Sequence, residues 1–89
     1  MAKIIEIQCT FPDLLSANTI VEKLISQKLM ACGNILPVHS VYTWEQNLQK
    51  ESEFLVLIKT TIEKHLQAIH QIKLDHPYQL PALLHFEIN

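Results

Sequence analysis

A run of five consecutive apolar residues, FLVLI at positions 54–58, places the strongest constraint on how this chain can fold. Side chains of a β-strand point alternately to opposite faces, so a strand with this composition is apolar on both faces. Such a strand belongs in the centre of a sheet or beneath a contact between subunits. The run is far shorter than a membrane-spanning segment, so we expect no membrane span.

The first third of the chain predicts a strand followed by a helix. Residues 4–10 are rich in β-branched side chains, and Pro12 ends this strand while Asp13 can cap a helix. Residues 14–31 then carry apolar side chains at helical spacing. Gly33 stands where a helix C-cap is expected.

Two long strands are predicted next, over residues 34–44 and 48–60, and they should pair as a hairpin. In the connecting turn, Asn47 is the residue best suited to a left-handed conformation. Pro37 lacks a backbone N–H, so the beginning of the first strand lies at a sheet edge or in a bulge.

A second helix and a final strand complete the chain. Thr60 and Glu63 form a potential capping box, and His76-Pro77 ends the helix. The helix is expected to turn four apolar residues inward, namely Ile62, Leu66, Ile69 and Ile72. Residues 80–88 show a moderate alternation of apolar and polar side chains, which predicts a strand.

The order βαββαβ predicts an α+β fold, the ferredoxin-like plait: a four-stranded antiparallel sheet with both helices on one face. The other face has no helical cover. Because the strand at 54–58 is apolar on both sides, that uncovered face is predicted to be a subunit interface. The 89 residues are expected to form a single domain, 1–89, that gains stability from oligomerisation.

The charge and the cysteine content of the chain exclude several classes of function. A formal net charge of −2 provides no basic surface, so nucleic acid is not expected as a partner. Cys9 and Cys32 are too few for the disulfide framework of a small secreted domain. The N-terminus shows no signal peptide. We therefore predict a soluble cytoplasmic protein with free thiols and without membrane association.

Four segments together resemble the CutA family of divalent-cation tolerance proteins. They read ACGNILP at 31–37, SVYTWE at 40–45, EFLVLIKT at 53–60 and HPYQLP at 76–81. The resemblance implies a compact homotrimer in which the long hairpins wrap neighbouring subunits. Two departures stand out: the segment 37–40 is one residue shorter than the usual family loop, and the chain stops at Asn89, before the aromatic-rich C-terminal helix typical of the family.

Cys32, His76 and Glu53 are the candidate metal ligands. Thiolate and imidazole suit copper or another divalent metal ion such as zinc, and Glu53 could complete a site if a trimer brings it close. The three have no local metal-binding spacing, so this prediction depends mostly on the family resemblance. The alternative is that Cys32 packs as a small hydrophobic residue and His76 only ends a helix.

A further set of residues is assigned to an interface or a cleft. Cys32, Asn34, Tyr42 and Trp44 share one strand face if no bulge intervenes at Pro37. Tyr42 and Trp44 are expected to anchor a subunit contact rather than a ligand. Tyr78 is assigned to the same interface or cleft. Lys59 either meets an anion or a neighbouring carboxylate, or only extends to solvent at a strand end.

The remaining titratable residues receive no role. His65 and His70 are five positions apart on a helix and so lie on different faces, while His39 and His85 are isolated. Cys9 is expected in the core. We predict that the protein is not an enzyme, because Cys32 follows the C-terminal end of a helix, where the dipole disfavours a thiolate. No phosphate-binding glycine loop is present either.

Three functions therefore remain open. The first is a CutA-like homotrimer that binds copper or other divalent ions at clefts between subunits. The second is a regulatory trimer that binds a small anionic ligand, like the PII-type signalling proteins. The third is a structural or scaffolding trimer without a ligand.

Overall fold

The computed structural model describes residues 3–88 and confirms the βαββαβ order. The elements are β1 (Ile4–Phe11), α1 (Leu14–Ser26), β2 (Cys32–Trp44), β3 (Asn47–Thr61), α2 (His65–Asp75) and β4 (Leu83–Ile88). The strands form one antiparallel sheet in the order β2-β3-β1-β4, the ferredoxin-like arrangement. Within this range no helix is long and apolar enough to cross a membrane.

Strand β3 lies inside the sheet, as its apolar run predicts. Ile7 of β1 is paired with Ile58, and Ile35 of β2 is paired with Val56. These side chains point to the face that carries both helices. The core there contains Ile5, Ile7, Cys9 and Phe11 of β1, Val56 and Ile58 of β3, Ala17, Ile20 and Leu24 of α1, and Ala68 and Ile72 of α2.

Helix α1 begins as predicted and ends earlier. The backbone N–H of Ser16 donates to the Asp13 side chain at 2.7 Å, which confirms the predicted cap. The helix stops at Ser26, and Lys28 takes the left-handed conformation with a φ of 60°. The N–H groups of Lys28 and Leu29 then donate to the carbonyls of Ile25 and Leu24, the pattern of a Schellman motif.

The prediction that Gly33 caps this helix is wrong. Gly33 lies inside β2, opposite Ile58, and its φ is not positive. A Cβ at this position would come within 2.7 Å of the Met30 methyl group. Because this methyl group is the end of a flexible side chain, a larger residue at position 33 would require only that Met30 shift.

Helix α2 differs from the prediction at its start and on its inner face. Thr60 lies in β3 and donates its hydroxyl to the Leu29 carbonyl at 2.6 Å, so it does not cap α2. The helix begins at His65 without a side-chain cap. Leu66 is 67% exposed, and the small residue Ala68 fills the core position together with Ile72. Small side chains were not counted as inward-facing in the sequence, although they allow the helix to approach the sheet closely.

The hairpin is regular from one end to the other. Register is constant from Cys32 opposite Lys59 to Trp44 opposite Asn47, so β2 is an edge strand and Pro37 causes no bulge. In the turn, Glu45 and Gln46 take positive φ angles of 50° and 67°. The prediction that Asn47 would do so is wrong, because Asn47 already belongs to β3.

Candidate functional site

The face of the sheet that carries no helix, called the open face below, is formed by alternate residues of all four strands. In β2 and β3, Leu36 is paired with Leu55, and Asn34 with Leu57. The outer strand β4 adds Leu84 and Phe86, which are 63% and 46% exposed. The open face therefore contains a broad apolar area, and the subunit interface expected there stays a prediction.

One end of the open face is polar and includes Cys32. Cys32 is exposed and is paired across the hairpin with Lys59. The Lys59 ammonium lies 3.6 Å from the Glu6 carboxylate on β1, and Glu6 also accepts a 2.9 Å hydrogen bond from Gln8. Lys59 thus meets a neighbouring carboxylate, one of the two roles expected from the sequence.

His76 lies at the other end of the sheet, where it joins the end of α2 to β1. Its ring stacks on Phe11 with centroids 4.2 Å apart. Nε2–H donates to the Thr10 carbonyl at 2.8 Å, and Nδ1 accepts from the backbone N–H of Tyr78 at 3.0 Å. Because the carbonyl can only accept and the amide can only donate, the ring is neutral with its proton on Nε2. Neither nitrogen has a lone pair free for a metal ion.

Glu53 and Tyr78 extend this network onto the open face. The Tyr78 hydroxyl donates to the Glu53 carboxylate at 2.7 Å, and only 8% of Glu53 is exposed. Burial and the hydrogen bond to Glu53 raise the pKa of Tyr78, so the phenol stays protonated and keeps its donor role. On the opposite face, burial together with the nearby Glu53 charge raises the pKa of Cys9 to about 12. Cys9 lies in the core, as predicted, and the raised pKa keeps its thiol protonated.

A surface cleft opens beside Glu53, between the outer half of the hairpin and the segment after α2. Tyr42, Trp44 and Glu51 line one side, and Tyr78 and Leu80 line the other. A hydrogen bond to Glu51 raises the pKa of Tyr42. The structure thus brings Tyr42, Trp44 and Tyr78 together, whereas Cys32 and Asn34, although on the same strand face, lie far along β2.

The three proposed metal ligands do not meet within one subunit. Cys32 is paired with Lys59, which is six residues along β3 from Glu53, a separation of about 20 Å at the usual strand rise. Glu53 and His76 lie near each other but are occupied by Tyr78 and Thr10. No group of three His, Cys, Asp or Glu side chains able to hold a metal occurs in the described part of the chain. Cys32, Glu53 and His76 of a single subunit therefore do not fit the metal ion that the resemblance implies.

Sequence reasoning missed one pair of residues. His65 at the start of α2 and His85 on β4 have ring centroids 5.6 Å apart. His85 is paired with Ile7 and so points toward the helices, on the same side as α2. Side chains of a strand alternate between the two faces, so the sequence could have placed His85 on that side. It could not have placed α2 beside His85, because the position of a helix along the sheet depends on tertiary packing.

The chain matches one protein family over nearly its full length. The family model described as CutA1 divalent ion tolerance protein matches residues 5–89. The chain is 40% identical over 77 residues to the divalent-cation tolerance protein CutA of Salmonella newport, a match that covers 85% of this chain and 67% of that protein.

Solved structures show the same fold. CutA1 from Ehrlichia chaffeensis superposes with a TM-score of 0.95 at 32% identity, covering 100% of this chain and 84% of that one. CutA1 from Oryza sativa superposes with a TM-score of 0.94 at 31% identity, and the match covers 99% of this chain and 82% of that one. The periplasmic divalent cation tolerance protein CutA from Archaeoglobus fulgidus superposes with a TM-score of 0.92 at 32% identity. This match covers 97% of this chain and 84% of that one.

The buried His76 should make stability depend on pH. Burial lowers the pKa of His76 below its ordinary 6.5, against the opposing effects of the Thr10 hydrogen bond and the Glu53 charge. The unfolded chain therefore takes up this proton first, so the free energy of unfolding should fall as pH decreases below about 6.5 and level off once the folded state is protonated. Urea unfolding between about pH 7.5 and about pH 5 measures this change.

Two variants give this measurement its controls. In His76→Gln the pH dependence over that interval should become shallower, whereas His39→Gln, on the exposed hairpin, should keep the dependence of the wild type. An unchanged slope in His76→Gln would show that other groups cause it.

Proposed function

This chain belongs to the CutA1 divalent ion tolerance family, and on that premise we propose that it acts in divalent-cation tolerance as a homotrimer. The observation that carries the proposal is the apolar open face. Leu55 and Leu57 lie there in the middle of the sheet, only partly covered, and Leu36 and Phe86 extend the area to both edge strands. Apolar areas of this kind on small domains mark contacts with other proteins.

The size of the domain supports self-association. A chain of 89 residues buries a smaller share of its surface than a larger domain does, so its core alone gives marginal stability. Each Å² of apolar surface removed from water contributes about 25 cal/mol. Three copies related by a closed rotation can each place the open face against the others, which stabilises all three equally.

The outer half of the hairpin gives a second reason for assembly. Strand β1 pairs with β3 only from Phe54 onward, so residues 38–53 form a two-stranded ribbon beyond the sheet. An isolated ribbon of this type is marginally stable in water. Its exposed apolar side chains are Val41, Tyr42, Trp44 and Leu48, of which Trp44 is 64% exposed. Packing of this ribbon on a neighbouring subunit would cover them, with Tyr42 and Trp44 as anchors.

Metal ions enter the proposal as cargo bound between subunits. Cys32 is an exposed free thiol on the open face, and a thiolate suits copper or zinc. Its further ligands would come from a partner subunit, where Glu53 and His76 are the candidates. Either residue would first have to release its present hydrogen bond. Cys32 is therefore the residue on which metal binding depends most.

Two further points belong to the proposal. We expect no catalysis, because the ionisable groups placed opposite Cys32, Lys59 and Glu6, are paired with each other. We expect a cytoplasmic protein, because an exposed free thiol and a second unpaired cysteine fit a reducing compartment.

Assembly is tested by placing a charge on the open face. Leu57→Asp should convert the trimer into monomers at micromolar concentration, because an unpaired buried carboxylate costs several kcal/mol at each subunit contact. Sedimentation velocity measures the change. Leu15→Asp is the matched control, since Leu15 lies on α1 in the other layer and is 77% exposed. A Leu57→Asp protein that remains trimeric would contradict the assignment of the open face.

Metal binding is tested by titration with copper under reducing conditions. The wild type should bind the ion saturably, and Cys32→Ser should lower the affinity by about a hundredfold or more, because it removes the only exposed thiol in the chain. Ser40→Ala, another open-face substitution on β2, should leave it unchanged. Size-exclusion chromatography must show that each variant remains trimeric. Equal affinity in wild type and Cys32→Ser would exclude Cys32 as a ligand.

The variants His76→Gln and Glu53→Gln then test whether these two residues also bind the metal ion. Loss of affinity in both would support a site shared between subunits. Loss in Cys32→Ser alone would leave these two side chains in the structural network described above.

A further inference from the structure

The side of the sheet that carries the helices holds a pair of imidazoles, His65 and His85, at the edge next to β4. Their ring centroids are 5.6 Å apart and the ring planes are inclined by 40°. His65 is half-buried at the first residue of α2, and His85 is exposed on β4. The pair therefore lies at the surface, where an ion and water molecules can reach it.

The hydrogen bond of His65 fixes which ring nitrogen can act as a ligand. Nδ1 lies 2.7 Å from the Ile62 carbonyl oxygen, which can only accept, so Nδ1 carries the proton. In the neutral ring the lone pair is then on Nε2. Metal-binding histidines commonly have this arrangement, in which a backbone carbonyl holds one N–H and orients the other nitrogen toward the ion. His65 is thus held in the tautomer that a metal site needs.

The spacing of the two rings is also suitable. Two imidazole nitrogens bound tetrahedrally to one zinc ion at about 2.0–2.1 Å place their ring centroids about 5.2 Å apart. The observed 5.6 Å differs from this value by a few tenths of an ångström. Because His85 is exposed, its side chain has room to rotate and turn a ring nitrogen toward His65.

The charges near the two histidines are of both signs, because Lys64 directly precedes His65 at the N-terminus of α2. Glu87 follows His85 on the same face of β4, and its carboxylate lies 3.6 Å from the Lys3 ammonium. Both groups of this ion pair are largely exposed, so the pair is weak. The two histidines supply two ligands, and water molecules are left to fill the other positions.

We propose that His65 and His85 form a binding site for a divalent transition metal ion within each subunit, with imidazole Nε2 of His65 and one ring nitrogen of His85 as the protein ligands. Zinc, copper and nickel are the ions that imidazole ligands suit. The site lies on the face opposite to Cys32 and requires no partner subunit. It is therefore independent of the inter-subunit site proposed above, and either site can be present without the other.

The test uses zinc and the full-length chain carrying Cys32→Ser, so that the thiol does not compete. Long-range nitrogen–proton NMR spectra at about pH 8, where histidine is ordinarily neutral, report the tautomer and metal ligation of each ring. Without zinc, the spectrum should show His65 protonated on Nδ1. With zinc, the Nε2 resonance of His65 and one nitrogen of His85 should shift together, while His39 and His70 stay unchanged.

Affinity measurements give the second readout. His65→Gln and His85→Gln should each weaken zinc binding by about tenfold or more, whereas His70→Gln, an exposed residue of the same helix, should not. His85→Gln changes an exposed side chain and so keeps the test valid if His65→Gln disturbs α2. The proposal is overturned if zinc at millimolar concentration moves neither ring, or if both substituted proteins bind zinc as the parent does.

Discussion

The structure depends on the burial of β3 beneath both helices on one side of the sheet. Val56 and Ile58 of β3 pack with Ile7 of β1 and Leu24 of α1 in a single core. Because α1 and α2 both pack on one side of the sheet, the opposite face of the same strand keeps Leu55 and Leu57 only partly covered. The apolar open face follows from this one-sided cover, whereas the exposed ribbon exists because β2 and β3 extend beyond the end of β1.

Much of the architecture could be predicted from the chain because periodicity is a local property. The apolar run at 54–58 placed β3 inside the sheet, and Asp13 marked the start of α1. Predictions failed where packing overrides local preference. Lys28 adopts a left-handed conformation that glycine would favour, because the chain must turn there into β2. Thr60 looked like a helix cap, but its hydroxyl bonds the Leu29 carbonyl across the sheet.

The candidate site was less predictable, because its contacts join residues distant in sequence. Glu53 and Tyr78 are 25 positions apart, and His76 is 66 positions from the Thr10 carbonyl that it contacts. The family resemblance, together with residue type, made His76 and Glu53 candidate metal ligands. Their hydrogen bonds instead tie the segment after α2 to β1 and β3. Cys32 remains the exposed thiol, and the two histidines without an assigned role, His65 and His85, lie next to each other.

The central claim is that the open face is the contact surface of a homotrimer, and the native mass of the wild-type protein tests it most directly. Sedimentation equilibrium over a range of protein concentrations should give three times the mass of the chain, with no loss of mass at low micromolar concentration. A mass equal to one chain over that range would contradict the account, because the apolar open face would then be exposed in the functional protein.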